Sequence, residues 1–318
     1  MTVVVGILNK RGASIAADSA TTYTVANTLP NGKISSEETK IVNSGNKMLR
    51  LSDVMPISIM IVDTASILNT PWDVIIRWYR KKRGNEIFDT VEDIVKDFLD
   101  FIPKQEFFLI NSLIANWRHH TELVFTGYGN NQKYPQLVHV VIKGVVDHKL
   151  QYNTDDFEIF TISDEHPSEI LYFGQTDITS ALTEDISKNE DNKLLCTKIL
   201  SIFMVKKQIM MADNLIDEDK LDLPLCESKI MSVLNARHEG LRQKWYNAVK
   251  DYSLQEMANL AKTLINATEL HRSIMFQKES VGGLIDLAVI TREDGFQWLN
   301  RKSWYEPSKG GQYGKFGI

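Results

Sequence analysis

Thr2-Val3-Val4-Val5-Gly6-Ile7, then Asn9-Lys10-Arg11-Gly12, then Ala16-Ala17-Asp18-Ser19: the reading of the fold turns on this opening stretch. Residues 2–8 and 13–17 are apolar and β-rich, and the polar break ending in Gly12 between them predicts a hairpin. Thr2 stands directly behind Met1. Once Met1 is trimmed, one residue carries a nucleophilic hydroxyl beside a free α-amine. That amine, with an ordinary pKa of roughly 7.7–8.0, serves as the hydroxyl's own base. A buried first strand that happens to begin with threonine would show the same two letters, so other segments must decide.

Outward from this hairpin, residues 19–46 are polar, rich in Thr, Ser, Asn and Gly, with a turn at Pro30-Asn31-Gly32. A second hairpin is predicted from Lys47-Met48-Leu49-Arg50-Leu51 and Pro56 to Val62. Helical periodicity runs from about Ile67 to Arg80 and from Thr90 to Phe101. Leu123 to Gly129 and Gln136 to Ile142 read as a strand pair, with further strand-like runs near 157–162 and 170–173. From Asp177 to His271 the pattern is mostly helical. Within it Ser253-Leu254-Gln255-Glu256 matches a capping box, and Leu254, Met257, Leu260, Ala261 and Leu264 mark an apolar face. Leu284 to Ile290 and Gly295 to Leu299 are strands around a turn at Arg292-Glu293-Asp294-Gly295. Strands, two helices, strands, long helices, strands: this order predicts an α+β sandwich of stacked antiparallel sheets with helices on both faces. The terminal strand pairs must then meet in space.

Bulk composition excludes several classes of function. A net charge of −5 argues against a nucleic-acid partner held by phosphate neutralisation. The basic run Arg80-Lys81-Lys82-Arg83 follows an amphipathic segment and reads as a solvated helix end. The two cysteines, Cys196 and Cys226, lie in helix-like stretches and form no Cys-x-x-Cys pair, so neither a disulfide framework nor a zinc or redox site is expected. Adjacent His119 and His120 cannot share one face of a helix or strand, which argues against a metal site there. No cofactor is implied. The first apolar run is broken at Asn9-Lys10-Arg11, and nothing approaches the roughly 18 apolar residues of a membrane span. A cytoplasmic protein is expected.

These segments, taken in order, resemble one family. The opening stretch with Lys10-Arg11-Gly12 and Ala16-Ala17-Asp18-Ser19 resembles that of proteasome β-type subunits, which are N-terminal-nucleophile (Ntn) hydrolases with a four-layer αββα fold. Lys47-Met48-Leu49-Arg50-Leu51-Ser52-Asp53 is similar to the family's third strand, which opens on a lysine. Thr126-Gly127-Tyr128-Gly129 with Pro135-Gln136-Leu137 resembles its Gly-Tyr-Asp and Pro-x-Leu strand pair. Leu171-Tyr172-Phe173-Gly174-Gln175-Thr176 resembles its short turn before a helix, and Val281-Gly282-Gly283 with Ile285 to Val289 and Arg292 to Gly295 its last hairpin. The start at Met-Thr is closest in style to the bacterial ancestral-type homologues (Anbu). The resemblance covers about two thirds of the chain. It implies one domain over 1–300, with a helical insertion at about 180–250 and a tail over 301–318.

That resemblance also implies roles. Thr2 supplies the attacking oxygen, Lys47 lowers its pKa and helps move the proton, and Asp18 pairs with Lys47; Lys33 and Lys40 compete with Lys47 for the role. A backbone N–H near Val62-Asp63 stabilises the oxyanion. The implied activity is a threonine-type amide or peptide hydrolase acting on a peptide or protein, assembled as a ring or helical homo-oligomer. This sequence departs from the family pattern at three places. Asp63 stands where typical members have glycine, Gln175 where they have serine, and the late aspartate and serine are unmatched unless Glu279 or Ser280 substitutes with a one-residue shift. Two alternatives stay open on the same fold: acyl transfer to an amine, and a scaffold with little or no activity.

Overall fold

The computed structural model describes residues 2–28, 34–43, 45–113, 120–153, 157–183, 232, 239–274 and 281–302. Most of the expected helical insertion, both cysteines, His119, Lys33, Glu279, Ser280 and the tail beyond Lys302 lie outside the described residues.

The chain opens with the expected hairpin, β1 (Val3–Asn9) and β2 (Gly12–Ala17), paired in register from Val4↔Ala17 to Asn9↔Gly12. Polar residues 19–46, expected to be a loop, instead form a second hairpin, β3 (Thr21–Thr28) with β4 (Ile34–Val42); the turn at Pro30-Asn31-Gly32 falls outside the described residues. Threonine carries β propensity without hydrophobicity, so a pattern search keyed on apolar alternation passes over Thr21-Thr22-Tyr23-Thr24. Next come β5 (Met48–Arg50) and β6 (Ile57–Asp63), then two-residue strands β7 (Ser66–Ile67) and β8 (Thr70–Pro71).

Helix α1 (Trp72–Arg83) buries Trp72, Ile75, Ile76 and Tyr79, the i, i+3, i+4, i+7 face of an amphipathic helix. Its basic last turn ends as expected at the surface, where Arg83 pairs with Glu86 and Asp97. Helix α2 (Val91–Phe101) starts at a capping box, Thr90 with Asp93, and sends Ile94, Val95, Phe98 and Leu99 inward. A 3-10 turn (Ile102–Lys104) leads into α3 (Glu106–Ser112), which the sequence reading leaves out.

Strands β9 (Thr121–Gly127) and β10 (Gln136–Val146) form the expected pair. An unforeseen β11 (Lys149–Tyr152) comes next through Asp147-His148, both at positive φ (49 and 60), the conformation of a two-residue type I′ hairpin. Strands β12 (Glu158–Thr161) and β13 (Ser168–Gly174) precede α4 (Asp177–Thr183). A helical stretch over 239–249 leads to α5 (Leu254–Ile274), whose start carries the expected box: Ser253 N donates to Glu256 at 2.7 Å and Glu256 N donates to Ser253 Oγ at 3.3 Å. Strands β14 (Asp286–Thr291) and β15 (Gly295–Asn300) close the described chain.

Among the described residues two large antiparallel sheets result, in the orders β13-β1-β2-β14-β15 and β11-β10-β9-β6-β5, with β12 also on β10, beside the two-stranded pairs β3-β4 and β7-β8. The chain's two ends meet as expected, since β14 pairs with β2 from Asp286↔Ala17 to Ile290↔Ala13. Three hydrophobic clusters account for the burial. The first mixes both sheets: Val4, Leu8 and Ile15 with Met60, Val62, Val124 and Leu137. The second joins the outer face of the β6-bearing sheet (Ile57, Ile59, Phe125, Val138) to α1 and α2. The third joins Val3, Val5 and Ile7 to Met257, Ala261 and Leu264 of α5. Strand β1 thus buries both faces, which is why its sequence is a continuous apolar run rather than an alternation. Each fully buried large side chain contributes about 1.5–3 kcal/mol.

Candidate functional site

Site geometry begins at the ends of β1 and β2. Asp18 follows the last residue of β2 and is fully buried. Its Oδ1 accepts from Val3 N at 3.0 Å and from Lys47 Nζ at 2.7 Å. Its Oδ2 accepts from Ala20 N at 3.2 Å and Gly282 N at 3.3 Å. Four donors around one carboxylate fix its orientation. Lys47 lies just before β5 and is 7% exposed; its carbonyl accepts from Ile61 N at 2.8 Å, which pins it to β6. Of the competing lysines, Lys40 is an exposed residue of β4.

Thr2 is buried, at 3% exposure, and its main chain is held on both sides. The following N–H, that of Val3, goes to Asp18 Oδ1, and the Thr2 carbonyl accepts from Gln175 N at 2.8 Å. Gly174 makes that second contact feasible: it has φ +82, and a Cβ there would meet the Thr2 carbonyl oxygen at 2.1 Å. The turn after β13 therefore closes directly on Thr2. The predicted trio meets to this extent: Asp18 holds Lys47 through its side chain and is bonded to the peptide N–H next to Thr2.

Burial pushes the Lys47 ammonium below its ordinary value of 10.5; Asp18 works against this, Lys302 adds to it, and Asp63 opposes it. A lysine shifted downward gives up its proton more readily than an ordinary one, which suits it to a site that handles protons.

Asp63 is the last residue of β6 and has φ 66. Glycine takes this left-handed conformation freely, and aspartate is among the few other residues that tolerate it. Its carboxylate lies 2.8 Å from His120 Nδ1, and Glu122 Oε1 lies 4.0 Å from the same nitrogen. The reading that discounts a metal near His119-His120 weighs those two against each other; the fold groups His120 with Asp63 and Glu122 instead, with one ligand atom from each within 4.8 Å of the others. Behind Glu122, the buried His139 holds a carboxylate on each ring nitrogen: Nε2 to Glu122 Oε2 at 2.9 Å and Nδ1 to Glu158 Oε2 at 2.8 Å. Burial works against a charged imidazole here, yet the two carboxylates raise His139 above its ordinary 6.5.

Sequence reasoning misses Lys302 entirely, because residues from 301 on read as tail. The structure buries it against Asp286: Nζ donates to Asp286 Oδ2 at 2.7 Å, to Ser19 Oγ at 3.1 Å and to the Gly45 carbonyl. Ser19 in turn donates to the Leu284 carbonyl. Asp286 is visible in the sequence as the lone charge inside an apolar strand, which is the signal for a buried partner.

No family model matches the sequence, and no curated protein does. Among solved structures, the chain is similar to the Anbu complex of Pseudomonas aeruginosa, described as a helical assembly, with TM-score 0.45, 11% identity, and 95% of this chain and 88% of that one covered. It is similar to Anbu (ancestral beta-subunit) from Yersinia bercovieri at TM-score 0.42 and 9% identity, covering 94% and 88%. Anbu from Hyphomicrobium sp. strain MC1 gives TM-score 0.41 and 13% identity, covering 96% and 89%. Among the described residues, no helix is long and apolar enough to cross a membrane.

Proposed function

We propose that this chain is a threonine-type amide or peptide hydrolase of the proteasome β kind, working as a cytoplasmic homo-oligomer. The observation that carries the reading is the buried Lys47–Asp18 pair at 2.7 Å, whose carboxylate also holds the peptide N–H adjoining Thr2. The three hydrophobic clusters support a four-layer αββα arrangement within a single domain over 1–300, with a helical insertion at about 180–250 and a tail over 301–318. Exposed Leu182 of α4 and Leu270 and Ile274 of α5 support burial of that face against a second copy.

In this reading Thr2 carries the free α-amine. The amine takes the hydroxyl proton as Oγ1 attacks the substrate carbonyl, and the Lys47 ammonium stabilises the charge developing on that oxygen. A backbone N–H near Val62-Asp63 donates to the oxyanion. Collapse of the tetrahedral intermediate breaks the C–N bond, and the leaving amine takes the proton. An acyl ester on Thr2 remains, and water, deprotonated by the same α-amine, releases the acid. Asp18 undergoes no chemistry; it keeps Lys47 oriented.

The test is exposure of the purified chain to an amino-terminal-threonine-directed covalent inhibitor, followed by intact mass measurement and native mass. One adduct on a Met-trimmed chain, absent in Thr2→Ala, is expected, on a species heavier than a monomer. A retained Met1 with no adduct overturns the hydrolase reading and leaves a non-catalytic subunit.

A further inference from the structure

We propose that Asp63, His120 and Glu122 form a binding site for a divalent transition-metal cation, of the class represented by Zn²⁺. The site stands on the edge of the β6–β9 ladder and does not depend on Thr2 chemistry. Register places the three together: Asp63 pairs with Thr121 and Val62 with Glu122, so His120 and Glu122 flank the residue opposite Asp63. Left-handed backbone at Asp63 turns the end of β6 just where its carboxylate reaches His120.

Spacing fits ligands that share one ion. With metal–ligand distances of about 2.0–2.2 Å, neighbouring ligand atoms around a cation lie roughly 3–3.6 Å apart. The separations here, 2.8 Å from His120 Nδ1 to Asp63 Oδ2 and 4.0 Å from His120 Nδ1 to Glu122 Oε1, bracket that range, and small side-chain rotations equalise them. One imidazole nitrogen and two carboxylate oxygens form a borderline-to-hard donor set of the kind that zinc accepts. The partial exposure of Asp63 and His120 leaves coordination positions for water.

Outer contacts match what a metal carboxylate needs. Glu122 keeps Oε1 towards His120 because Oε2 is held by His139, and His139 is fixed from behind by Glu158. Hydrogen-bonded partners of this kind orient ligating groups and raise affinity. Charge points the same way. Among the described residues, Asp63, Glu122 and Glu158 make direct ion pairs only with the imidazoles of His120 and His139, Lys47 acting on Asp63 from beyond contact range. Three carboxylates around two imidazoles form an acidic centre whose negative charge a dication would largely offset.

The experiment is calorimetric titration of the metal-free full-length chain with Zn²⁺ alone, with circular dichroism confirming that every variant is folded. One equivalent per chain is expected to bind in the wild type. Binding should fall at least about tenfold in His120→Ala and in Asp63→Asn, and should persist in His166→Ala, a histidine remote from the cluster. Glu158→Gln, whose side chain bonds His139 and none of the three ligands, should weaken binding about tenfold. Absence of saturable binding, or a wild-type isotherm retained in both folded His120→Ala and Asp63→Asn, overturns the proposal. Its failure leaves the hydrolase reading standing, because the inhibitor adduct on Thr2 is scored without metal.

Discussion

Two buried lysine–aspartate pairs sit at the same end of the molecule, both at 2.7 Å, and they are built differently. Lys302 spends its ammonium protons on three acceptors, Asp286, Ser19 and the Gly45 carbonyl. Lys47, among the described residues, gives Nζ to Asp18 only. The aspartates invert that asymmetry. Asp18 gathers three backbone N–H groups besides its lysine, whereas Asp286 receives one, from Lys302 N at 3.0 Å. A saturated ammonium is a fastener. An unsaturated one, held by a carboxylate that is itself immobile, is free to serve a third party. Lys302 fastens three segments that carry the other pair: the end of β2 through Ser19, the approach to Lys47 through Gly45, and β14 through Asp286.

The largest effect that separates the pairs is kinetic. Lys47→Met should slow inhibitor labelling of Thr2 by about 10²–10³-fold, the range for loss of a group that stabilises developing charge. A decrease under threefold in labelling rate, with the protein folded, would assign Lys47 to the structural class. Lys302→Met should act mainly on stability, lowering the free energy of unfolding by about 3–5 kcal/mol because Asp286 is left buried with one amide donor. Denaturant titration measures this, and Lys47→Met should cost less, since Asp18 keeps its three N–H groups.

Next in size is Gly174→Ala. It forces a side chain into left-handed backbone and against the Thr2 carbonyl, and should cost at least about 1–2 kcal/mol while slowing labelling. The pH dependence sharpens the comparison further. Lys47 is depressed by burial, so between its folded value and the ordinary 10.5 the unfolded chain binds more protons than the folded one. Stability measured against Lys47→Met should therefore rise with pH across that window and be flat below it. The smallest expected effect is the control: Thr90→Ala removes the α2 cap, far from both pairs, should lower stability by about 1 kcal/mol, and should leave labelling unchanged.

How much of this is legible in the sequence depends on what each residue's signal rests on. Hairpins at 2–17 and 47–63 are readable because apolar runs and the polar breaks between them, Lys10-Arg11-Gly12 and Ser52-Asp53, are local facts, and so is the Ser253 box. The β3–β4 pair is not, because its strands are polar, nor is β11, whose turn uses Asp147-His148 rather than the Asn-Gly that announces a hairpin. Asp18 and Lys47 can be nominated only through the family resemblance; the spacing to Leu49 and Leu51 favours Lys47 over Lys40, and burial separates the two. Asp63 with His120 and Glu122 arises from strand register across 57 residues of chain, which periodicity does not encode. Lys302 is hidden because it borders the polar, glycine-bearing stretch from Glu306 to Gly314 and is read as part of the same tail.

Strand order in the sheet bearing Thr2 has a consequence for biosynthesis. Its first two strands are made at once, but their neighbours are β13 on one side and β14 on the other, the latter beginning at Asp286. On the ribosome the β1 edge of the opening hairpin must wait for Gly174 to emerge, and its β2 edge for Ile290. Gly282 and Lys302 flank the β14–β15 hairpin in sequence, so the surroundings of Asp18 and Ser19 are finished only once Lys302 has been made. A chain that stops before Gly282 lacks part of the Asp18 cradle, so removing residues from 282 onward should disturb the surroundings of Thr2 some 280 residues away in sequence.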